Sequence, residues 1–289
     1  MFTTLPGILA ALTSALVWGG ADFAGGLSAR KHNAYQVLVT AGIGGTAVLL
    51  PIALLLGEPL PDAAGCAWAT LAGICGAIGT TTLYYALAQG NAAAVSPPAA
   101  VIGITLPVLI SAWVEGMPGP ARLAGICLGV VGIWLVSQVQ REAKPGSLER
   151  GEPRPTPRRD LRLALLSGVG FAGFFIFMGQ LPEGALFFPS AVAKFVSVLT
   201  GLVILLTRRQ ALWAGPDKLA LSVGVMDVSG NVTYLIARHL TRLDVAVVLS
   251  SMYPAVTVIL ARVIQRQSVS RQQWAGILVC LVSVALIAI

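Results

Sequence analysis

Apolar runs of about 20 residues, the length that spans a bilayer as a helix, follow one another along almost the whole chain. Only one long hydrophilic stretch interrupts them, residues 141–160, REAKPGSLERGEPRPTPRRD. A soluble fold cannot bury so many such runs. Its surface would need roughly 25% charged residues, whereas this chain is 11% charged and 56% hydrophobic. A lone strand leaves its backbone unpaired in lipid, so each run is expected to be a helix.

Ten segments qualify. Before the hydrophilic stretch they are Leu5–Ser28, Tyr35–Gly57, Gly65–Leu87, Ala92–Val114 and Arg122–Val139; after it come Leu161–Gly179, Ala185–Thr207, Lys218–Arg238, Val245–Ile264 and Gln272–Ile289. The Pro, Gly and mixed charges of the central stretch suit a solvated linker. The first run has no basic residues before it and is long enough to span, so no cleavable leader is expected. Trp68, Trp113, Trp134, Trp213 and Trp274 fall near helix ends, as interfacial anchors do, while Trp18 lies deeper and is a candidate for lining an interior.

The net charge of +7 belongs to short loops between apolar runs, which is topology and not a nucleic-acid face. Fifteen Lys and Arg residues, Arg30, Lys31, Arg208 and Arg209 among them, fall on the side of the linker; the other side has three, Arg122, Arg238 and Arg242. The linker is therefore expected in the cytoplasm and both termini outside.

Several chemistries lack their residues. Cys66, Cys75, Cys127 and Cys280 have no metal or redox spacing and read as small buried hydrophobes, and His32 and His239 are far apart. Gly168 to Gly173 matches a dinucleotide fingerprint in letters, but it lies inside an apolar span and not after a strand, so helix packing is its expected role. Gly125 and Gly129 have the same small-residue spacing. There is no phosphate-binding loop, and no metal or cofactor is expected.

The two halves resemble each other. Ala124-Gly125-Ile126 opens the fifth helix and Ala275-Gly276-Ile277 the tenth; Tyr85 to Ala88 ends the third and Tyr234 to Ala237 the eighth, with one Tyr-x-x-Ala spacing. Pro107 and Pro254 interrupt the helix that follows in each half. Five is odd, so the second copy must enter the membrane from the opposite face. The expected organisation is an all-α integral membrane protein of ten transmembrane helices, two inverted five-helix repeats around a central cavity, with the site at mid-depth between them. Residues 1–139 would be the first repeat, 140–160 the charged cytoplasmic linker and 161–289 the second repeat.

The run Tyr253-Pro254-Ala255-Val256-Thr257 to Ala261-Arg262, with Gln273-Trp274-Ala275-Gly276, resembles the second repeat of EamA-domain transporters of the drug/metabolite transporter superfamily. Pro97, Pro107-Val108-Leu109 and Glu115-Gly116 before Ala124-Gly125-Ile126 are similar to the corresponding part of the first repeat. The resemblance implies two inverted bundles and secondary transport of small metabolites, often export. It also brings departures: Gln267 stands where the family often has an acid, and many members have both termini in the cytoplasm, opposite to the charge count.

Charges inside spans are costly, roughly 2.5–3.5 kcal/mol each on insertion scales. Lys194 and Asp227 each lie about nine residues into helices of opposite direction, hence near mid-depth. Consecutive helices are often neighbours, so the two are expected to pair, as a substrate or proton site or as a structural tie between helices. Asp22, late in the first helix, faces either the cavity or its mouth. Asn231 and Tyr234 follow Asp227 on one helix face and form a polar stripe that should point inward. Thr80, Thr81, Thr82, Tyr84 and Tyr85 offer a neutral counterpart in the first half, unless the threonines bond back to their own helix. The candidate substrate residues are thus Trp18, Asp22, Tyr84, Tyr85, Lys194, Asp227, Asn231 and Tyr234.

The expected function is a secondary active transporter, an exporter of small metabolites such as amino acids, working by alternating access, with protons as a candidate coupling ion. The alternative is a membrane-embedded enzyme or translocase acting on a lipid-linked substrate; the enzyme would want clustered acids or histidines, which the sequence lacks. Expected partners are the small-molecule substrate and the lipid bilayer, with no nucleic acid, in a monomer or homodimer.

Overall fold

The structure, a computed structural model, describes residues 5–90, 92–115, 119–137, 157–181, 187–212, 217–240, 249–250 and 252–288. Ten helices are described: α1 (Leu5–Ser28), α2 (Ala34–Leu55), α3 (Ala63–Ala88), α4 (Ala92–Glu115), α5 (Pro120–Ser137), α6 (Pro157–Met178), α7 (Phe187–Thr207), α8 (Lys218–Leu240), α9 (Tyr253–Gln265) and α10 (Arg271–Ala288). Five segments are long and apolar enough by themselves to cross a membrane: α1, α2, α3, Arg158–Met178 and α7. Leu9, Leu12, Leu16, Leu54, Val203 and Leu206 lie exposed on their outer faces, where lipid tails are their natural neighbours.

Local chemistry sets several helix ends. Asn33 and Gln36 form a reciprocal capping box that starts α2, and the Asp62 carboxylate accepts from Gly65 N at 2.7 Å to start α3. The sixth helix begins earlier than its hydropathy suggests, at Pro157 and not Leu161. Proline needs no N–H in a first turn, and Asp160 complements the helix dipole there. Residues 138–156, most of the charged linker, lie outside the described residues, as does 241–248, the start of the expected ninth span.

Proline acts differently in the two halves. Helix α4 runs through Pro97, Pro98 and Pro107 without a break. In the second half, Leu249 and Ser250 are helical, Met252 sits in a turn, and α9 restarts at Tyr253 with Pro254 in its first turn. The interruption expected in both halves is thus found among the described residues only near Pro254. Of the four cysteines only Cys280 is buried; Cys66 and Cys75 are half-buried, and Cys127 is exposed.

The packing carries the inverted repeat. Exchanging helix n for helix n+5 turns the main helix pairs into one another: α1·α8 into α6·α3, α2·α8 into α7·α3, and α4·α6 into α9·α1, while α2·α7 and α5·α10 map onto themselves. Every one of these pairs joins one half to the other, so the main packing lies between the halves. Small residues make the closest crossings. A β-carbon on Gly224 of α8 would fall on the Ala41 carbonyl oxygen of α2 and within 2.7 Å of Gly45 N. At the equivalent crossing, one on Gly73 of α3 would meet the Ala193 carbonyl oxygen of α7 at 2.5 Å. Gly168, Gly170 and Gly173 lie against Ile102, Gly79 and Cys75, so that motif is a packing surface for α3 and α4.

Candidate functional site

Helices α1, α7 and α8 bring three charges together inside the bundle. Lys194 Nζ lies 2.6 Å from Asp227 Oδ2, and the two side chains are 30% and 32% exposed. Asp22 is partly accessible too and close enough to both to feel their charges. From the helix ends, Asp22 is about 10 Å and Asp227 about 14 Å below the linker face, at 1.5 Å per residue. Charges at such depth are costly unless they face protein or water.

Backbone packing places these groups. Trp18 Nε1 donates to the Asp227 carbonyl oxygen at 3.2 Å, and Ser14 Oγ donates to the Gly230 carbonyl oxygen at 2.9 Å. Gly230 leaves room for the indole, since a β-carbon there would meet Trp18 Cδ1 at 2.5 Å. Trp18 and Asp22 are four residues apart on one face of α1, so anchoring the indole also aims the carboxylate.

Aromatic rings wall the space. Trp18 lies 5.9 Å from the Tyr234 ring and 6.2 Å from the Tyr253 ring, the second edge-on. Tyr84 is buried, packs at Gly25 of α1, and lies with Tyr253 within electrostatic reach of Asp22. Asn231 and Tyr234 are half-buried. The arrangement combines two carboxylates, one ammonium and several aromatic faces.

Tyr85 does not join this group. It is 45% exposed, its hydroxyl accepts from Arg159 Nη2 at 2.8 Å, and the Arg159 guanidinium lies 5.7 Å over its ring. Tyr84 and Tyr85 are neighbours on a helix and point about 100° apart, so only one can turn inward. Thr81 is buried, and among the described residues its hydroxyl meets no hydrogen-bond partner.

Tyr253 belonged to the motif that carries the family resemblance but was not among the candidate substrate residues. Its signal was the Pro254 interruption, which puts a tyrosine at a helix start deep in the bundle. Thr257 Oγ1 fixes that start by donating to Gly19 O at 3.2 Å. Among the described residues no group of His, Cys, Asp and Glu could hold a metal ion.

Comparison with known proteins agrees with this architecture. No curated protein matches the chain. A solved crystal structure is similar at a TM-score of 0.60, with 18% identity, covering 98% of this chain and 97% of its own; at that identity the likeness shows the fold. The model of the EamA-like transporter family matches residues 5–138 and again 161–289. With two copies of that domain covering nearly its whole length, this multi-pass membrane protein is a transporter and belongs to the EamA-like transporter family.

Proposed function

We propose that the protein is a secondary active exporter of small zwitterionic metabolites, amino acids first among them, working by alternating access around Lys194, Asp227 and Asp22. One observation carries this reading: Lys194 and Asp227 meet at 2.6 Å while each side chain stays about one third exposed, at 30% and 32%. A pair that merely tied helices together would be better shielded, and apolar residues would serve that purpose at less cost.

A zwitterion can exchange with the pair. Its carboxylate takes Lys194, its ammonium takes Asp227, and Trp18, Tyr234 and Tyr253 cover its apolar part. The second carboxylate supports proton coupling. With Asp22, Asp227 and Lys194 all ionised the cluster carries one uncompensated negative charge, which a proton balances; a zwitterion adds no net charge and leaves that site to the proton. Taking up that proton on one side and releasing it on the other is the elementary step of the coupling.

Proteoliposomes loaded with candidate amino acids test this. The wild type is expected to release a zwitterionic substrate faster with protons supplied from the opposite side, and D227N to lose that acceleration. Release that is indifferent to both the pH gradient and the substitution would overturn the coupling.

A further inference from the structure

Helices α2 and α7 end in the same turn. Gly57 after α2 has φ 63° and Arg209 after α7 has φ 52°. The next residue in each case bonds back to the carbonyl five before it, Glu58 N to Ala53 O at 3.1 Å and Gln210 N to Leu205 O at 2.9 Å. The two sequences, Leu-Gly-Glu and Arg-Arg-Gln, hide the equivalence. Glycine takes the left-handed conformation freely, whereas Arg209 adopts it at a cost.

The side chain that leaves each turn crosses to the start of the other helix. The Glu58 carboxylate accepts from Phe187 N at 2.7 and 3.0 Å through its two oxygens, and from Phe188 N at 3.0 Å. On the linker side, Gln210 Oε1 accepts from Asn33 Nδ2 at 2.8 Å, and the Ala211 carbonyl accepts from Gln36 Nε2 at 2.7 Å. Asp217 adds a contact with His32 Nε2 at 3.4 Å and a hydrogen bond from Ser28 Oγ. Each exit loop thus holds the N-terminus of the helix that its own helix crosses.

We propose that these contacts are the two gates of the transport cycle, Glu58 with Phe187 and Phe188 closing the face away from the linker, and Gln210 and Ala211 with Asn33 and Gln36 closing the linker face. The inference rests on the alternating-access reading above. The α2·α7 pair maps onto itself under the repeat exchange, so it lies on the pseudo-axis. Rocking one half against the other separates the pair at one end and not at the other. Lys194 sits where α7 touches α2 at Gly42, seven residues from the Phe187 gate. A substrate that draws Lys194 away from Asp227 therefore acts on the helix whose start Glu58 holds.

The gates differ in chemistry. A carboxylate on the backbone N–H groups of a helix start is charge-assisted and favoured by the helix dipole, while the Gln210–Asn33 contact joins neutral amides. Both sets of contacts are made in this structure, with Asp217 adding a carboxylate to the linker face.

The test uses the full chain in proteoliposomes of sorted orientation, with N231C as reporter and the native cysteines replaced. A membrane-impermeant thiol reagent is added to one side at a time. E58A is expected to raise labelling from the face away from the linker by about tenfold, the order set by losing hydrogen bonds to a charged group, with no rise from the linker face. Q210A, which removes the cross-helix bond and leaves the α2 capping box intact, should do the reverse. E58Q, which makes the first gate resemble the second, should give a smaller rise on the same face and decides the matter if E58A does not fold. Equal rises on both faces, or none, would overturn the proposal. Labelling needs no substrate, so failure to move amino acids would sink the substrate assignment while leaving the gates standing.

Discussion

Lys194 and Asp227 touch at 2.6 Å although α7 and α8, the helices that bear them, are not one of the main packed pairs. Helix α2 lies between, packed on both. The ion pair therefore joins two helices that do not otherwise pack closely, and such groups can be separated without unpacking a core. That arrangement is what a site that binds and releases a ligand requires.

Charge reversal of burial logic should appear in a mutant cycle at this pair. K194L leaves the Asp22 and Asp227 carboxylates without their ammonium, and D227N takes the contacting carboxylate from Lys194; each should cost about 1–3 kcal/mol, between the values for exposed and fully buried pairs. K194L/D227N should recover part of that stability yet lose transport. Thermal unfolding in detergent measures the first effect and proteoliposome flux the second; additive stability losses would show that the two side chains do not interact.

Asn231 and Tyr234 should be reachable by water. In a background with Cys66, Cys75, Cys127 and Cys280 replaced, N231C and Y234C are expected to react with a small water-soluble thiol reagent. Substrate should slow the reaction. Complete inertness of both in folded protein would count against a hydrated cavity.

Asp217, just outside the membrane-spanning part of α8, gives a pH signature. Burial pushes its carboxyl up, but the Ser28 hydroxyl, the N–H groups of Leu219 and Ala220 and the His32 imidazole outweigh this and hold it below the ordinary carboxylate range. A carboxyl lowered on folding stabilises above its unfolded value, and the contribution is lost as pH falls through the folded value. D217N should therefore be less stable by about 1–2 kcal/mol at neutral pH. The gap in Tm should hold down to the unfolded value of 3.8 and close below it; a gap independent of pH would contradict the assignment.

The α2·α8 crossing tolerates no side chain at Gly224. G224A drives a methyl into the Ala41 carbonyl oxygen and should destabilise by about 3 kcal/mol, the upper end for overpacking. G119A, where a β-carbon meets nothing within 4 Å, is the control and should leave Tm almost unchanged.

Orientation follows from the Lys and Arg bias alone. We propose that the linker is cytoplasmic, so a reporter active only in the cytoplasm, inserted near Gly151, should be active. Activity there from a reporter that works only outside the cytoplasm would invert the topology and with it the direction of the two gates.

Hydropathy and charge, summed along the chain, determined the number of helices, their approximate limits and the inverted repeat, because a bilayer imposes one length on every span and one demand on every backbone group. The Asp227–Asn231–Tyr234 stripe was legible for the same reason: polar groups inside a span must turn away from lipid. Tertiary structure decided what depends on contacts between remote segments. It placed Lys194 against Asp227 across α2 and not through adjacent helices, turned Tyr84 inward and Tyr85 outward, and brought Tyr253 to Trp18. It also seated Glu58 on Phe187, a relationship invisible in sequence because its counterpart on the other face is a glutamine and the glycine before it is matched by an arginine. Periodicity reports which face of a helix avoids lipid; only packing decides which partner that face meets.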